Sequence, residues 1–292
     1  MIFEGTATAL ITPFTESGVD FESLGRLIDF QLNNGVSALV PCGTTGEPAT
    51  MTAAEREAVI DFVINKANRR VPVIAGCGTN CTTSTIERSL SAARAGADAI
   101  LLVTPYYNKC TQKGLVAHFS AVAEKVDKPI IVYNVPGRTA VNIQPETAAA
   151  LSGIPNIRAV KEACGNLAQI EKTARLTRGK LDLYSGDDEL NLEIFKLGGI
   201  GTISVASNVI PKELSEVYNL YRTHRLSEAE VLQNKLQALI KALFIEVNPI
   251  PVKAAARLLG LCAPYIRLPL TEIEPEHLTV LEAEMKKLGI IG

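Results

Sequence analysis

The stretch IIVYNVPGRTAVNIQPETAAALSGIPNIRAVKE, residues 130–162, reads as a complete strand–helix–strand unit. Its ends, 130–133 and 157–161, are short apolar runs of the kind strands show when both faces of a parallel sheet are covered. Between them lie the turn residues of VPGRT and a helix over 144–151, with Pro145 at the helix start. Working outward, the same kind of run recurs at 6–11, 38–41, 73–76, 99–103, 181–184 and 202–205. Successive starts are 21 to 35 residues apart, about one strand, one helix and two loops. Amphipathic stretches fill the gaps: 20–34, 52–68, 84–95, 114–126, 168–177 and 190–197. Thr52 and Glu55 form a capping-box signature for the second of these. Eight βα units in a row predict a closed (β/α)8 TIM barrel in preference to an open doubly wound sheet, which usually has fewer strands. Beyond the eighth strand, 212–223, 228–246, 251–259 and 275–287 are helical with no strands between. One helix completes the barrel and the rest form a C-terminal helical appendix. The expected division, near Arg225, is a catalytic barrel over 1–224 and a helical domain over 225–292.

Composition narrows the function. The chain has 292 residues, 47% of them hydrophobic, and 29 basic against 31 acidic side chains. With no Lys/Arg cluster there is no electrostatic footprint for nucleic acid or an anionic membrane surface. The N-terminal MIFEGTATALITPF has no basic region before its apolar run, and no long uncharged apolar stretch occurs, so a cytoplasmic protein is expected. The six cysteines read as free thiols, and Cys77 and Cys81 lack the second Cys/His pair of a zinc site. Only three histidines, His118, His224 and His277, are present, which argues against a metal-dependent lyase.

In barrel enzymes the chemistry sits at the C-terminal ends of the strands. The second strand runs into Gly43-Thr44-Thr45-Gly46-Glu47, two hydroxyls on a turn whose backbone N–H groups suit a carboxylate; a plain helix-capping turn is the bland alternative. The sixth ends on Lys161 among Ala159, Val160 and Ala163. A desolvated amine loses charge readily and attacks carbonyls to form a Schiff base; a snorkelling lysine or a salt bridge to Glu162 is the structural alternative. Tyr133 offers a phenol for proton transfer and Arg138 a fork for a substrate carboxylate. Two adjacent aspartates, Asp187 and Asp188, occupy the loop where barrels commonly bind phosphate, so a phosphorylated substrate is not expected.

The set GTTGE at 43–47, PYYNK at 105–109, YNVPGRT at 133–139, VKEA at 160–163, SGDD at 185–188 and GTISV at 201–205 closely resembles the dihydrodipicolinate synthase family, in the N-acetylneuraminate lyase superfamily of class I aldolases. The resemblance covers essentially the whole chain, including the NPIPVK segment at 248–253. It implies that pyruvate forms an imine on Lys161 and that the resulting enamine attacks L-aspartate 4-semialdehyde. Thr44, Tyr133 and Tyr107 would relay protons, Tyr107 reaching in from a neighbouring subunit of a homotetramer built as a dimer of dimers. Thr45 would hold the pyruvate carboxylate, Arg138 that of the semialdehyde, and Gly186 and the Ile203 carbonyl would line the pocket. The imine is on the protein itself, so no cofactor and no metal is implied. The process would be diaminopimelate and lysine biosynthesis.

One departure stands out. Lysine-inhibited members carry a feedback site of which this chain keeps Ala49, Asn80 and Tyr106, but it has Ala53, Arg56 and Ser84 where they have two histidines and a glutamate. Weak or absent lysine inhibition is the expectation. The competing reading is another pyruvate-dependent aldolase, such as a sialic acid or keto-deoxy sugar acid lyase, and Arg138 argues against it. A catalytically dead barrel would have no need to keep Lys161, Tyr133 and Thr44 together.

Overall fold

The computed structural model describes residues 1–292. The strands are β1 (Gly5–Ala9), β2 (Phe14–Thr15), β3 (Gly18–Val19), β4 (Ala38–Val40), β5 (Ile74–Gly76), β6 (Ala99–Val103), β7 (Ile130–Asn134), β8 (Ile157–Glu162), β9 (Asp182–Ser185) and β10 (Gly201–Ser204). The helices are α1 (Phe21–Asn33), α2 (Ala53–Ala67), α3 (Thr82–Ala95), α4 (Gln112–Ala123), α5 (Pro136–Thr139), α6 (Pro145–Leu151), α7 (Leu167–Thr177), α8 (Asn191–Lys196), α9 (Pro211–Arg222), α10 (Leu226–Ala242), α11 (Ile250–Leu258) and α12 (Pro275–Lys287). Eight parallel strands pair in the order β4-β1-β10-β9-β8-β7-β6-β5. The two ends of that order meet through a parallel bridge between Leu39 and Val73, where Leu39 N–H donates to Pro72 O and Gly76 N–H to Pro41 O, both at 3.0 Å. All eight expected strands are present and the sheet is a barrel.

The barrel has two apolar layers. One lies between strands and helices and includes Leu39, Ile100, Val132 and Val160. It continues without a break into Leu236, Leu239, Val252, Ala255 and Leu281, so α10 to α12 pack on the same core as the barrel helices. The other fills the interior, where Ala7, Ala9, Ala38, Ala99 and Ala159 leave room for larger side chains on the remaining strands. No helix is long and apolar enough to cross a membrane.

Local chemistry explains most helix boundaries. Asp20 caps α1 by accepting from Ser23 N–H at 2.9 Å, and the capping box on α2 has both of its hydrogen bonds. Several boundaries differ from expectation. The helix expected from 84 starts at Thr82, and the one expected from 114 starts at Gln112 because Thr111 is its cap, accepting from Gly114 N–H at 3.1 Å. The helix expected to reach 246 stops at Ala242, which frees 243–249 to turn back towards the barrel mouth. The hairpin of β2 and β3 and the single turn α5 were not anticipated. All six cysteines are free.

Candidate active site

Strand alternation puts Ala159 and Lys161 of β8 inside the barrel and Val160 and Glu162 outside. Lys161 is 4% exposed. Burial draws its amine down to about 7; the Asp188 carboxylate opposes that shift and the Arg138 cation adds to it. Nζ sits 4.1 Å from the centroid of the Tyr133 ring, the residue directly beside it in register on β7. On the other flank is Gly186. A Cβ there would come within 2.7 Å of Lys161 Cε and 3.0 Å of Cγ, so only glycine lets the lysine stem pass. The salt bridge to Glu162 does not form, because the two side chains leave opposite faces of the strand.

Tyr133 is buried and pushed up to about 12 by desolvation, partly offset by Arg138. Its hydroxyl stays protonated at any ordinary pH. A cavity of about 250 Å³ opens beyond these two groups, lined by Thr44, Thr45, Tyr133, Arg138, Lys161 and Gly186. Six of the eight residues singled out from the sequence therefore meet in one place. Thr44, Tyr133, Arg138 and Asn248 also line an adjoining outer cleft of about 590 Å³.

The other two lie elsewhere. Ile203 is fully buried in the interior layer of β10, and the cavity at that strand is lined by Val205. Tyr107 is 85% exposed, held at a left-handed φ of 76°, and lines neither space.

The 43–47 turn is fixed by the C-terminal segment. Asn248 Nδ2 donates to Thr45 Oγ1 at 3.0 Å, and its carbonyl accepts from Arg138 Nη2 at 3.2 Å. Lys253 Nζ pairs with Glu47 Oε1 at 2.5 Å, both side chains almost wholly buried. Breaking one partner of such a pair costs about 3–5 kcal/mol, since the other charge is stranded. Arg267 joins the same region by a double hydrogen bond to Glu55 at 2.6 and 3.0 Å, and this pairing holds the Glu55 carboxyl at about 2. Two groups of this scaffold were missed from the sequence: Asn248 and Lys253 stand more than 200 residues from Thr45 and Glu47, their partners in the turn. The NPIPVK motif was the one available signal.

Around the eighth strand, Asp188 Oδ2 accepts the N–H groups of Val205 and Ala206, both at 2.9 Å. Those are the donors that a phosphate would use at this corner of a barrel. A carboxylate of the chain itself already fills the position. No three His, Cys, Asp or Glu side chains are gathered in a way that could hold a metal ion.

Ala53, Arg56 and Ser84 line a separate groove of about 620 Å³ between α2 and α3. Ala49 and Tyr106 line the outer cleft, which Arg56 shares with the groove. Glu57, Asp61 and Glu87 stand in the same groove, so it retains acidic groups although Ser84 is not one.

A further buried group enters the sequence reading only as a salt-bridge partner of Lys161. Glu162, 1% exposed, has no cationic partner and burial raises its carboxyl to about 7. It accepts from Asn134 Nδ2 at 2.9 and 3.2 Å and from Cys164 N–H at 3.0 Å.

Comparison with known proteins agrees with this geometry. Residues 2–288 match the model of the dihydrodipicolinate synthetase family. The chain is 49% identical over 292 residues to the 4-hydroxy-tetrahydrodipicolinate synthase of Lachnoclostridium phytofermentans, covering 99% of both chains. Among solved structures it is similar to the dihydrodipicolinate synthase of Acinetobacter baumannii in complex with pyruvate, with a TM-score of 0.97, 43% identity and 100% of both chains covered. It is also similar to a monomeric dihydrodipicolinate synthase variant, with a TM-score of 0.98, 42% identity, and 99% and 98% of the two chains covered.

Proposed function

The chain belongs to the dihydrodipicolinate synthetase family of lyases, and from that premise we propose that it condenses pyruvate with L-aspartate 4-semialdehyde through an imine on Lys161, giving 4-hydroxy-tetrahydrodipicolinate for the diaminopimelate route to lysine. One observation carries the reading: a buried amine, drawn down to about 7 by desolvation, lines a small cavity, and Asp188, the carboxylate that opposes that shift, is hydrogen-bonded to Val205 and Ala206. A large share of Lys161 is a free nucleophile at neutral pH.

The steps follow from the groups present. Lys161 attacks the keto carbon of pyruvate and water leaves, giving a protonated imine. That cation makes the adjacent methyl acidic, and loss of a proton yields an enamine. The enamine carbon then bonds to the aldehyde carbon of the second substrate, whose oxygen takes up a proton. The amino group of that substrate finally adds to the imine carbon and expels Lys161, which closes the ring and restores the free amine. Protons need a donor and acceptor at each stage, and Tyr133 and Thr44, which line the same cavity, relay them, the phenol passing its own proton on as it takes one up. Thr45 and the backbone of the 43–47 turn receive the pyruvate carboxylate; Arg138, at the junction of cavity and cleft, receives that of the semialdehyde. Gly186 completes the wall beside the Lys161 stem. No cofactor or metal takes part.

The same proposal gives Tyr107 its role. A bulky residue held at positive φ and projecting from the surface is suited to enter the cavity of a neighbouring copy, in a dimer that pairs into a tetramer. A coupled assay with the two substrates, run with and without a strong chelator, tests the reaction. Turnover unchanged by the chelator is the expected result, and absence of turnover with semialdehyde sinks the proposal. Mixing Tyr107→Phe with Lys161→Ala protein should regenerate activity once subunits exchange; no recovery despite proven exchange would return Tyr107 to its own chain. Lysine inhibition should be weak, which titration of lysine into the assay checks directly.

A further inference from the structure

Lys161 and Tyr133 face each other inside the barrel, and the residues that follow them in sequence face each other outside it. Tyr133 is in register with Lys161, and Asn134 with Glu162, on adjacent parallel strands. We propose that Glu162 and Asn134 are positioning residues, a hydrogen-bonded clamp on the outer face of the sheet that fixes, through the backbone, the angle at which Lys161 and Tyr133 enter the cavity. The proposal deepens the imine reading and rests on it.

Every polar atom of the Asn134 side chain is in use. Nδ2 donates to Glu162 and to Asn142 Oδ1 at 2.9 Å, while Oδ1 accepts from Ile143 N–H at 2.9 Å. Glu162 Oε1 also takes the N–H of Cys164, so one carboxylate ties the end of β7 to the start of the loop that carries Ala163 into the cavity wall. Asn142 in turn exchanges hydrogen bonds with Gln169 of α7 at 2.8 and 3.0 Å. Neither Glu162 nor Asn134 lines the cavity, so any effect on the reaction must pass through the backbone. A buried carboxylate without a cation destabilises the fold. An apolar residue would pack there at less cost, yet it could not accept from Asn134 and Cys164 together. The geometry asks for an acceptor at the reach of a glutamate.

Two substitutions separate reach from charge. Glu162→Gln keeps the Oε1 acceptor in place and removes the charge. Glu162→Asp keeps the charge and withdraws the acceptor by one carbon–carbon bond. The quantity to measure is the rate of borohydride-trapped pyruvate labelling of Lys161, normalised to folded protein. Gln should label within about threefold of the unmodified enzyme and Asp at least about tenfold slower, since small misplacement of a nucleophile is heavily penalised. Should the Asp variant not fold, Asn134→Ala reads the other half of the clamp, with the same slowing expected. Equal rates for Gln and Asp, or Gln slower than Asp, would overturn the clamp. Failure of Lys161 to label in the unmodified enzyme would overturn the imine reading instead.

Discussion

Two tyrosines flank Lys161 in register inside the barrel, Tyr133 on β7 and Tyr184 on β9, and the protein treats them oppositely. Tyr184 is fully buried and closes the floor. Its ring stacks on Phe3 at 4.2 Å, its hydroxyl donates to Phe3 O at 2.7 Å, and it accepts from Phe3 N–H at 3.3 Å. Tyr133 is buried too but makes no side-chain hydrogen bond within the chain, and its ring carries the lysine amine above one face. A phenol with both of its hydrogen-bonding roles filled is structure. One left free at the edge of a cavity, beside a half-neutral amine, is a reagent in waiting. Residue type and burial do not separate the two; the hydrogen-bond inventory does.

That contrast can be broken or sharpened by deleting each hydroxyl. Tyr133→Phe should lower kcat by about 10²- to 10⁴-fold, the range for loss of a general acid–base group, with thermal stability nearly unchanged because no internal hydrogen bond is lost. A variant that turned over normally would remove Tyr133 from the relay. Tyr184→Phe should do the reverse. It strands the Phe3 N–H and C=O in the barrel floor, costing about 1–3 kcal/mol of stability, while kcat changes by less than about twofold. A large kcat loss there, with the fold intact, would mean that the floor shapes the site as well as closing it.

The pH dependence should show the same division, on a smaller scale. Imine formation needs the free amine, so its rate should rise with pH through about 7, as Lys161 sheds its proton. It should then stay flat to about pH 10, because Tyr133 does not ionise below about 12. Glu162 also titrates near 7, so the rise belongs to Lys161 only where it persists in Glu162→Gln. An alkaline decline near pH 8 would contradict the assignment of a protonated phenol. Linkage gives the matching stability statement. The folded lysine binds its proton more weakly than the unfolded one, so this group makes the fold more stable as pH rises from about 7 towards 10.

The barrel was legible because its strands announce themselves locally. Ala99 to Val103 or Ile130 to Tyr133 is apolar on both faces, and that pattern needs no knowledge of the rest of the chain. Boundaries were less so: Leu10 and Ile11 continue the apolar run of β1 but have left the sheet, where Ile11 N–H donates to the Asn208 side chain at 3.0 Å. Lys161, Tyr133, Thr44, Thr45, Arg138 and Gly186 could be placed because each sits at a strand end or the loop after it, which the fold turns towards one point. What stayed hidden acts across long sequence separations or across the thickness of the sheet. Asn248 and Lys253 reach the 43–47 turn from a helical appendix, and no periodicity predicts that α10 ends early to let them do so. Glu162 was weighed only as a salt-bridge partner of Lys161, although strand alternation already puts it on the opposite face.

The central claim is that Lys161 is the amine that carries pyruvate. Incubating the protein with pyruvate, reducing with borohydride and identifying the modified peptide by mass spectrometry tests it most directly. The account predicts a reduced pyruvyl group on Lys161 alone, formed faster at pH 8 than at pH 6 and absent from Lys161→Ala. Labelling of another lysine, Lys253 included, or no labelling while the enzyme turns over, would contradict it.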